Sequence, residues 1–181
     1  MHQDIEKILV TEDEIREICD RLGKQISHDY KDTTPVVLGL LKGCIPFMSD
    51  LTRKIDIPME LVFMSVSSYH GGIKSSGDVK IKMDLDIPIH GRDILIVEDI
   101  VDTGNTIVTI IELLKHRGAK SVKMATLLDK PEGRTRPYQP EYVGKVIPKE
   151  FVVGYGLDYN EFYRNLPYVG VLKPEIYTKN E

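Results

Sequence analysis

Two short runs, Val36–Leu41 and Ile94–Val97, are apolar from end to end. A strand with one wet face alternates apolar and polar residues, so uninterrupted runs of this length predict strands buried on both faces. Such strands need helices above and below, and the intervening sequence supplies them. Thr11-Glu12-Asp13-Glu14 reads as a capping box. Ile15, Ile18, Cys19, Leu22 and Ile26 then recur at helical spacing. Pro35 closes the loop that follows, Gly43 opens a turn, and 45–55 reads as a second helix. A third helix is expected over 106–117, with Ile107, Ile110, Ile111 and Leu114 on one face and Gly118 as its stop. Strands are also expected at 60–66 and 122–128, with a hairpin-like return over 80–89. Strands and helices in this order imply right-handed crossovers and an α/β fold: a mostly parallel, twisted sheet flanked by helices.

The chain has 181 residues, which suits a single domain, 1–181, with a core large enough to stand without staples. The last stretch, about 140–181, is less regular and rich in tyrosine and proline; it reads as a small irregular hood over the sheet edge. A formal charge of −4 argues against a protein whose main work is holding nucleic acid. The two cysteines, Cys19 and Cys44, show neither a disulfide framework nor zinc-ligand spacing and fit a reducing, cytoplasmic setting. The five histidines show no metal-ligand spacing either. No signal peptide is expected at 1–10, and no apolar run approaches the length of a membrane span.

Chemistry concentrates in Leu95–Thr106, LIVEDIVDTGNT. An apolar strand runs into Glu98 and Asp99; Asp102, Thr103, Gly104, Asn105 and Thr106 then lead into a helix. Unpaired amides at a helix start, a glycine that allows close approach, and two hydroxyls make a cup for a phosphate. Carboxylates aimed at a phosphate repel it, so Glu98 and Asp99 call for hydroxyls or Mg²⁺ in between. A phosphorylated sugar with a free diol meets that demand. Taken singly, each acid also reads as a helix cap or dipole partner. Neither the Walker loop nor the dinucleotide fingerprint is present.

LIVEDIVDTGNT resembles the phosphoribosyl pyrophosphate motif of the type I phosphoribosyltransferases, and its Glu-Asp-Ile-Val-Asp-Thr-Gly form resembles the hypoxanthine-guanine branch. Leu41-Lys42-Gly43-Cys44 is similar to that family's pyrophosphate loop, Leu127-Leu128-Asp129-Lys130 to its base-reading strand end, and Phe151–Tyr155 with Leu157–Glu161 to its purine pocket. Arg164 follows in order. Cys44 stands where glycine is usual, and Asn105 where lysine is common.

The resemblance implies the type I phosphoribosyltransferase fold and roles residue by residue. Glu98 and Asp99 would hold ribose hydroxyls and a Mg²⁺-water shell, and Asp102 would be the general base. Asp102, Thr103, Gly104, Asn105 and Thr106 would cradle the 5-phosphate. Lys42, Gly43, Ser68, Tyr69 and Arg164 would meet the diphosphate, with a cis peptide entering Lys42. Lys130, Phe151, Val152 and Asp158 would hold the purine, and Asp158 would also reach a second Mg²⁺. The implied partners are phosphoribosyl pyrophosphate, hypoxanthine and guanine, with no nucleic acid and no membrane, in a homo-oligomer (dimer or tetramer). Residues 67–78, rich in Ser and Gly, would form a lid; on composition alone they are a mobile surface loop. On local sequence alone, Lys42 and Lys130 read as solvated lysines, Phe151 as core and Asp102 as an N-cap. Transfer to another base such as xanthine, a nucleotide-sensing RNA-binding regulator and a protein with a dead site stay open at this stage.

Overall fold

The computed structural model describes residues 1–68 and 79–178. In chain order it contains β1 (Ile5–Val10), α1 (Glu12–Asp29), β2 (Val36–Leu41), α2 (Ile45–Thr52), β3 (Glu60–Ser68), β4 (Val79–Met83), β5 (Asp93–Val101) and α3 (Asn105–His116). There follow β6 (Ser121–Asp129), β7 (Tyr142–Val146), β8 (Val152–Val153), β9 (Val169–Leu172) and the short α4 (Pro174–Tyr177). Six strands form one sheet in the order β4-β3-β2-β5-β6-β7. It is parallel from β3 to β7, and β4 adds antiparallel to the edge of β3. A second, antiparallel sheet has the order β1-β9-β8.

Period-two alternation sends successive residues of the central strands to opposite faces. Val37, Leu95 and Val97 join a core with Ile15, Leu22 and Ile26 of α1 and Phe47 and Leu51 of α2. Their neighbours Val36, Leu38, Ile94 and Ile96 join a second core with Ile107, Ile110, Ile111 and Leu114 of α3. Burial of each such side chain contributes roughly 1.5–3 kcal/mol before entropy is counted. The capping box forms as expected: Glu14 N–H donates to Thr11 Oγ1 at 3.2 Å, and Thr11 N–H to Glu14 Oε2 at 2.8 Å.

Several boundaries differ from the sequence expectation. β5 runs four residues past its apolar stretch, so Glu98 and Asp99 lie within a strand rather than a turn. Pairing with β6 continues to Val101↔Asp129 and holds the backbone extended despite the polar side chains. α2 stops at Thr52, and α3 starts at Asn105. Ser67 and Ser68 belong to β3 and pair with Lys80 and Val79, so they are not loop. The rest of the expected lid, including Tyr69, lies outside the described residues. The hood draws on both ends of the chain: β1 pairs with β9, while Tyr142–Val146 is a strand of the large sheet.

Candidate active site

Three neighbouring parallel strands, β2, β5 and β6, end on the same side of the sheet. The first residue beyond each is Lys42, Asp102 and Lys130. The crevice beyond strand carboxyl ends is where open α/β sheets bind ligands. Here it receives one ionic side chain from each strand.

The turn after β5 is shaped around a glycine. Gly104 caps α3 with φ +83°, and a Cβ there would come within 2.5 Å of the Arg136 carbonyl. Both the left-handed backbone and the close approach demand glycine. Thr103, Gly104 and Thr106 line a cavity of about 150 Å³ together with Glu98 and Asp102. Asn105 opens the helix, but its Oδ1 accepts from Thr135 Oγ1 at 3.4 Å and does not line that cavity.

Glu98 and Asp99 diverge from one point. Glu98 faces the cavity, whereas Asp99 lies against the loop after β2: a Cβ on Gly43 would sit 1.9 Å from Asp99 Oδ2. Burial pushes the Glu98 carboxyl well above its ordinary range, and the charge of Asp99 adds to this. Burial also raises Asp99, partly offset by hydrogen bonds from Glu98 and the Ile100 amide. Two adjacent carboxylates in this state are poised to gain from hydroxyl donors or a cation.

Asp102 and Lys130 form an ion pair, Oδ2 to Nζ, at 2.7 Å. Lys130 is only 8% exposed, and its Nζ also donates to the Glu150 carbonyl at 3.3 Å. The solvated reading of Lys130 is therefore wrong. Lys130 is drawn in because its own amide bonds to the Val101 carbonyl at 2.9 Å, which fixes it beside Asp102. Next to Glu150, Phe151 is 41% exposed and not core. Its ring stacks on Tyr177 at 4.8 Å and meets Tyr159 edge-on at 5.8 Å. Val152 is buried in β8, at the edge of the hood sheet.

The loop after β2 and the hood interlock. The Leu41–Lys42 peptide is cis. A Cβ on Gly156, at φ +101°, would fall 2.0 Å from the Gly43 carbonyl. Arg164 donates from Nη1 to the Gly156 carbonyl at 2.7 Å and pairs through Nη2 with Asp158 at 2.8 Å. Its Nε is buried without a hydrogen-bond partner among the described residues. Lys42 pairs with Glu161 at 2.7 Å. Cys44 is fully buried and its thiol is pushed up to about 12, by burial first and by Glu98 and Asp99 next, so it is no nucleophile at neutral pH. Ser68 ends β3 at the margin of the described residues.

Sequence reasoning quoted Asp129 and Glu161 within motifs but gave neither a role, and it passed over Arg134. Asp129 is buried at the end of β6 and pairs with Arg134 Nη2. Arg134 Nη1 donates to the carbonyls of Val101 at 2.8 Å and Asp102 at 2.5 Å, and its Nε to Tyr138 at 3.2 Å. One guanidinium thus ties the end of β6 to the turn after β5. An acid at the end of an apolar strand needs a partner when buried, and Arg134 five residues on was the available signal.

Comparison with known proteins agrees with this geometry. The phosphoribosyl transferase domain family matches residues 8–160. The chain is 59% identical over 175 residues to the hypoxanthine-guanine phosphoribosyltransferase of Lactococcus lactis, covering 97% of this chain and 95% of that one. It is 55% identical over 179 residues to the bifunctional protein TilS/HprT of Listeria innocua; that match takes in 99% of this chain but only 28% of the relative's length. A crystal structure of a hypoxanthine phosphoribosyltransferase from Staphylococcus aureus superposes with a TM-score of 0.94 at 52% identity, over 98% of this chain and 96% of that one. With a crevice of strand-end ions over a glycine-capped helix start, and with relatives of this identity along its full length, the chain belongs to the phosphoribosyl transferase domain family, in its hypoxanthine-guanine phosphoribosyltransferase branch.

Proposed function

We propose that this chain is a purine-salvage enzyme that transfers the phosphoribosyl group of phosphoribosyl pyrophosphate to hypoxanthine or guanine, giving IMP or GMP and releasing diphosphate. The observation that carries the reading is the 2.7 Å Asp102–Lys130 pair beside the phosphate cup. A purine entering between these groups takes over both. Lys130 donates to the exocyclic oxygen, and Asp102 accepts the proton of the imidazole ring as its nitrogen bonds to the ribose carbon and the diphosphate oxygen leaves. An ammonium group has donors only, so it selects a 6-oxopurine over adenine, whose amino group is itself a donor. Phe151 offers a ring face to the base, and Val152 and Asp158 offer backbone groups to its far edge.

The amides and hydroxyls of 102–106 hold the 5-phosphate, and Glu98 and Asp99 hold the ribose diol. Lys42, Gly43 and Arg164 take the diphosphate, and Ser68 and Tyr69 contribute to the same contact. The orphaned Nε of Arg164 supports an anion site there. Mg²⁺ fits this donor set, because it binds through one or two carboxylates and fills its shell with water and substrate oxygens. The cost of burying Glu98 and Asp99 together is one that a cation relieves. No group of three or more His, Cys, Asp or Glu side chains among the described residues could hold a metal alone, so the ion would be shared with substrate. Glu98 and Asp99 would hold one ion and Asp158 would reach a second, and the metal would supply charge neutralisation at the leaving diphosphate.

No helix among the described residues is long and apolar enough to cross a membrane. We further infer a cytoplasmic dimer or tetramer. Exposed Ile45, Leu61 and Phe63 line one cavity between α2 and β3, which supports association of copies through that face.

The test is incubation with phosphoribosyl pyrophosphate, Mg²⁺ and each of hypoxanthine, guanine, xanthine and adenine. Nucleotide from the first two, and none from adenine, is expected. No nucleotide from any base would sink the enzyme reading.

A further inference from the structure

We propose that Glu161 is an internal stand-in for the substrate's diphosphate, a carboxylate that holds Lys42 and Arg164 in place while the site is empty and is displaced when diphosphate arrives. The inference rests on the reading of Lys42 and Arg164 as the diphosphate cations. One oxygen, Glu161 Oε2, lies 2.7 Å from Lys42 Nζ and 3.5 Å from Arg164 Nη2. Those cations come from separate parts of the chain, the end of β2 and the hood, and the carboxylate bridges them as a phosphoryl oxygen would.

The backbone is shaped for this placement. Asn160 and Glu161 have φ of +51° and +69°, two successive left-handed residues without a glycine. Non-glycine residues take up that region where surrounding structure imposes it, and such positions gather at ligand clamps. The Glu161 amide is fixed by Asp158 Oδ2 at 3.0 Å, and the turn is closed by reciprocal Tyr159–Phe162 backbone bonds at 3.2 and 3.0 Å.

The pair is also easy to part. The side chains of Lys42 and Glu161 are 62% and 63% exposed, and an ion pair in that setting adds little to stability. Folding therefore has slight need of it. A substrate carrying several negative oxygens outcompetes a single carboxylate for the same cations, and water receives the released Glu161. Arg164 keeps its Asp158 partner at 2.8 Å meanwhile. On this account Glu161 is a positioning residue that sets how tightly the diphosphate end is held, and it weakens binding by competing for it.

The test is Glu161→Gln, which keeps the side chain's size and removes its charge. The KM for phosphoribosyl pyrophosphate and the inhibition constant of free diphosphate should each fall by about two- to fivefold, the range an exposed ion pair supplies. The KM for hypoxanthine and the melting temperature should hold, and Glu161→Asp should restore wild-type values. Unchanged or raised constants for both diphosphate compounds would overturn the proposal, as would a fall confined to hypoxanthine. Lys42→Met separates the two levels. If it fails to weaken diphosphate inhibition, the assignment of Lys42 itself is wrong. If it weakens inhibition while Glu161→Gln changes nothing, only the stand-in is wrong.

Discussion

Asp102 and Lys130 satisfy one another, and the proposed chemistry depends on their being separable. Lys130→Met removes the donor proposed for the exocyclic oxygen while keeping most of the packing volume. The KM for hypoxanthine should then rise about a hundredfold or more, and discrimination against adenine should shrink; an unchanged base preference in competition assays would refute the role. Arg134 acts differently, because it touches carbonyls and Asp129 rather than the cavity. Arg134→Met leaves the buried Asp129 carboxylate unpaired and should cost about 3–5 kcal/mol in urea unfolding. A loss well under 1 kcal/mol would show that the network bears no weight. The two cases also mark what single residues reveal in sequence. The place of Asp102 between a buried strand and a helix was legible because that pattern is local. The burial of Lys130, the network of Arg134 and the bridge made by Glu161 depend on segments that meet only in the fold, such as the 119-residue separation of Lys42 and Glu161.

Among the elements, the buried strands and amphipathic helices were readable because both signals are periodic and short-ranged. β1 was not: it is six residues long, half of them exposed, and finds its partner β9 far along the chain. Strand ends were also missed, since a polar Glu98-Asp99 pair looks like a turn until pairing with β6 extends it. The start of α1 gives a prediction at this scale. Glu14 is held down to about 2 by its hydrogen bond to Lys145 and, next, by the Thr11 amide. A carboxylate depressed in the folded state adds stability above its unfolded value, near 4.5, and loses it as pH falls toward 2. Glu14→Gln should therefore be less stable than wild type at pH 6, and the gap should close as pH drops through that window. A gap that stays constant in urea titrations from pH 6 to pH 3 would show that the carboxylate's charge contributes nothing.

At the level of the whole molecule, the crevice lies where two sheets with different jobs converge. The large parallel sheet delivers Lys42, Asp102 and Lys130 at fixed strand ends, which gives precision. The hood places Phe151 just ahead of β8 and Asp158, Glu161 and Arg164 in the turns between β8 and β9, with Glu161 itself left-handed. Gly43 packed against Asp99 on one side and Gly156 on the other joins the two. The general plan was legible from strand and helix order; the hood's construction was not, because strands of two to six residues carry little pattern of their own. The central claim is that Asp102 moves a proton in this crevice rather than merely capping the helix beyond it. Its most direct measurement is Asp102→Asn, comparing kcat for hypoxanthine with the Kd for phosphoribosyl pyrophosphate. The account predicts a kcat lower by about a hundredfold or more with a Kd changed by no more than about threefold. A Kd weakened by about as much as kcat falls, or a kcat unchanged at saturating substrate, would contradict it.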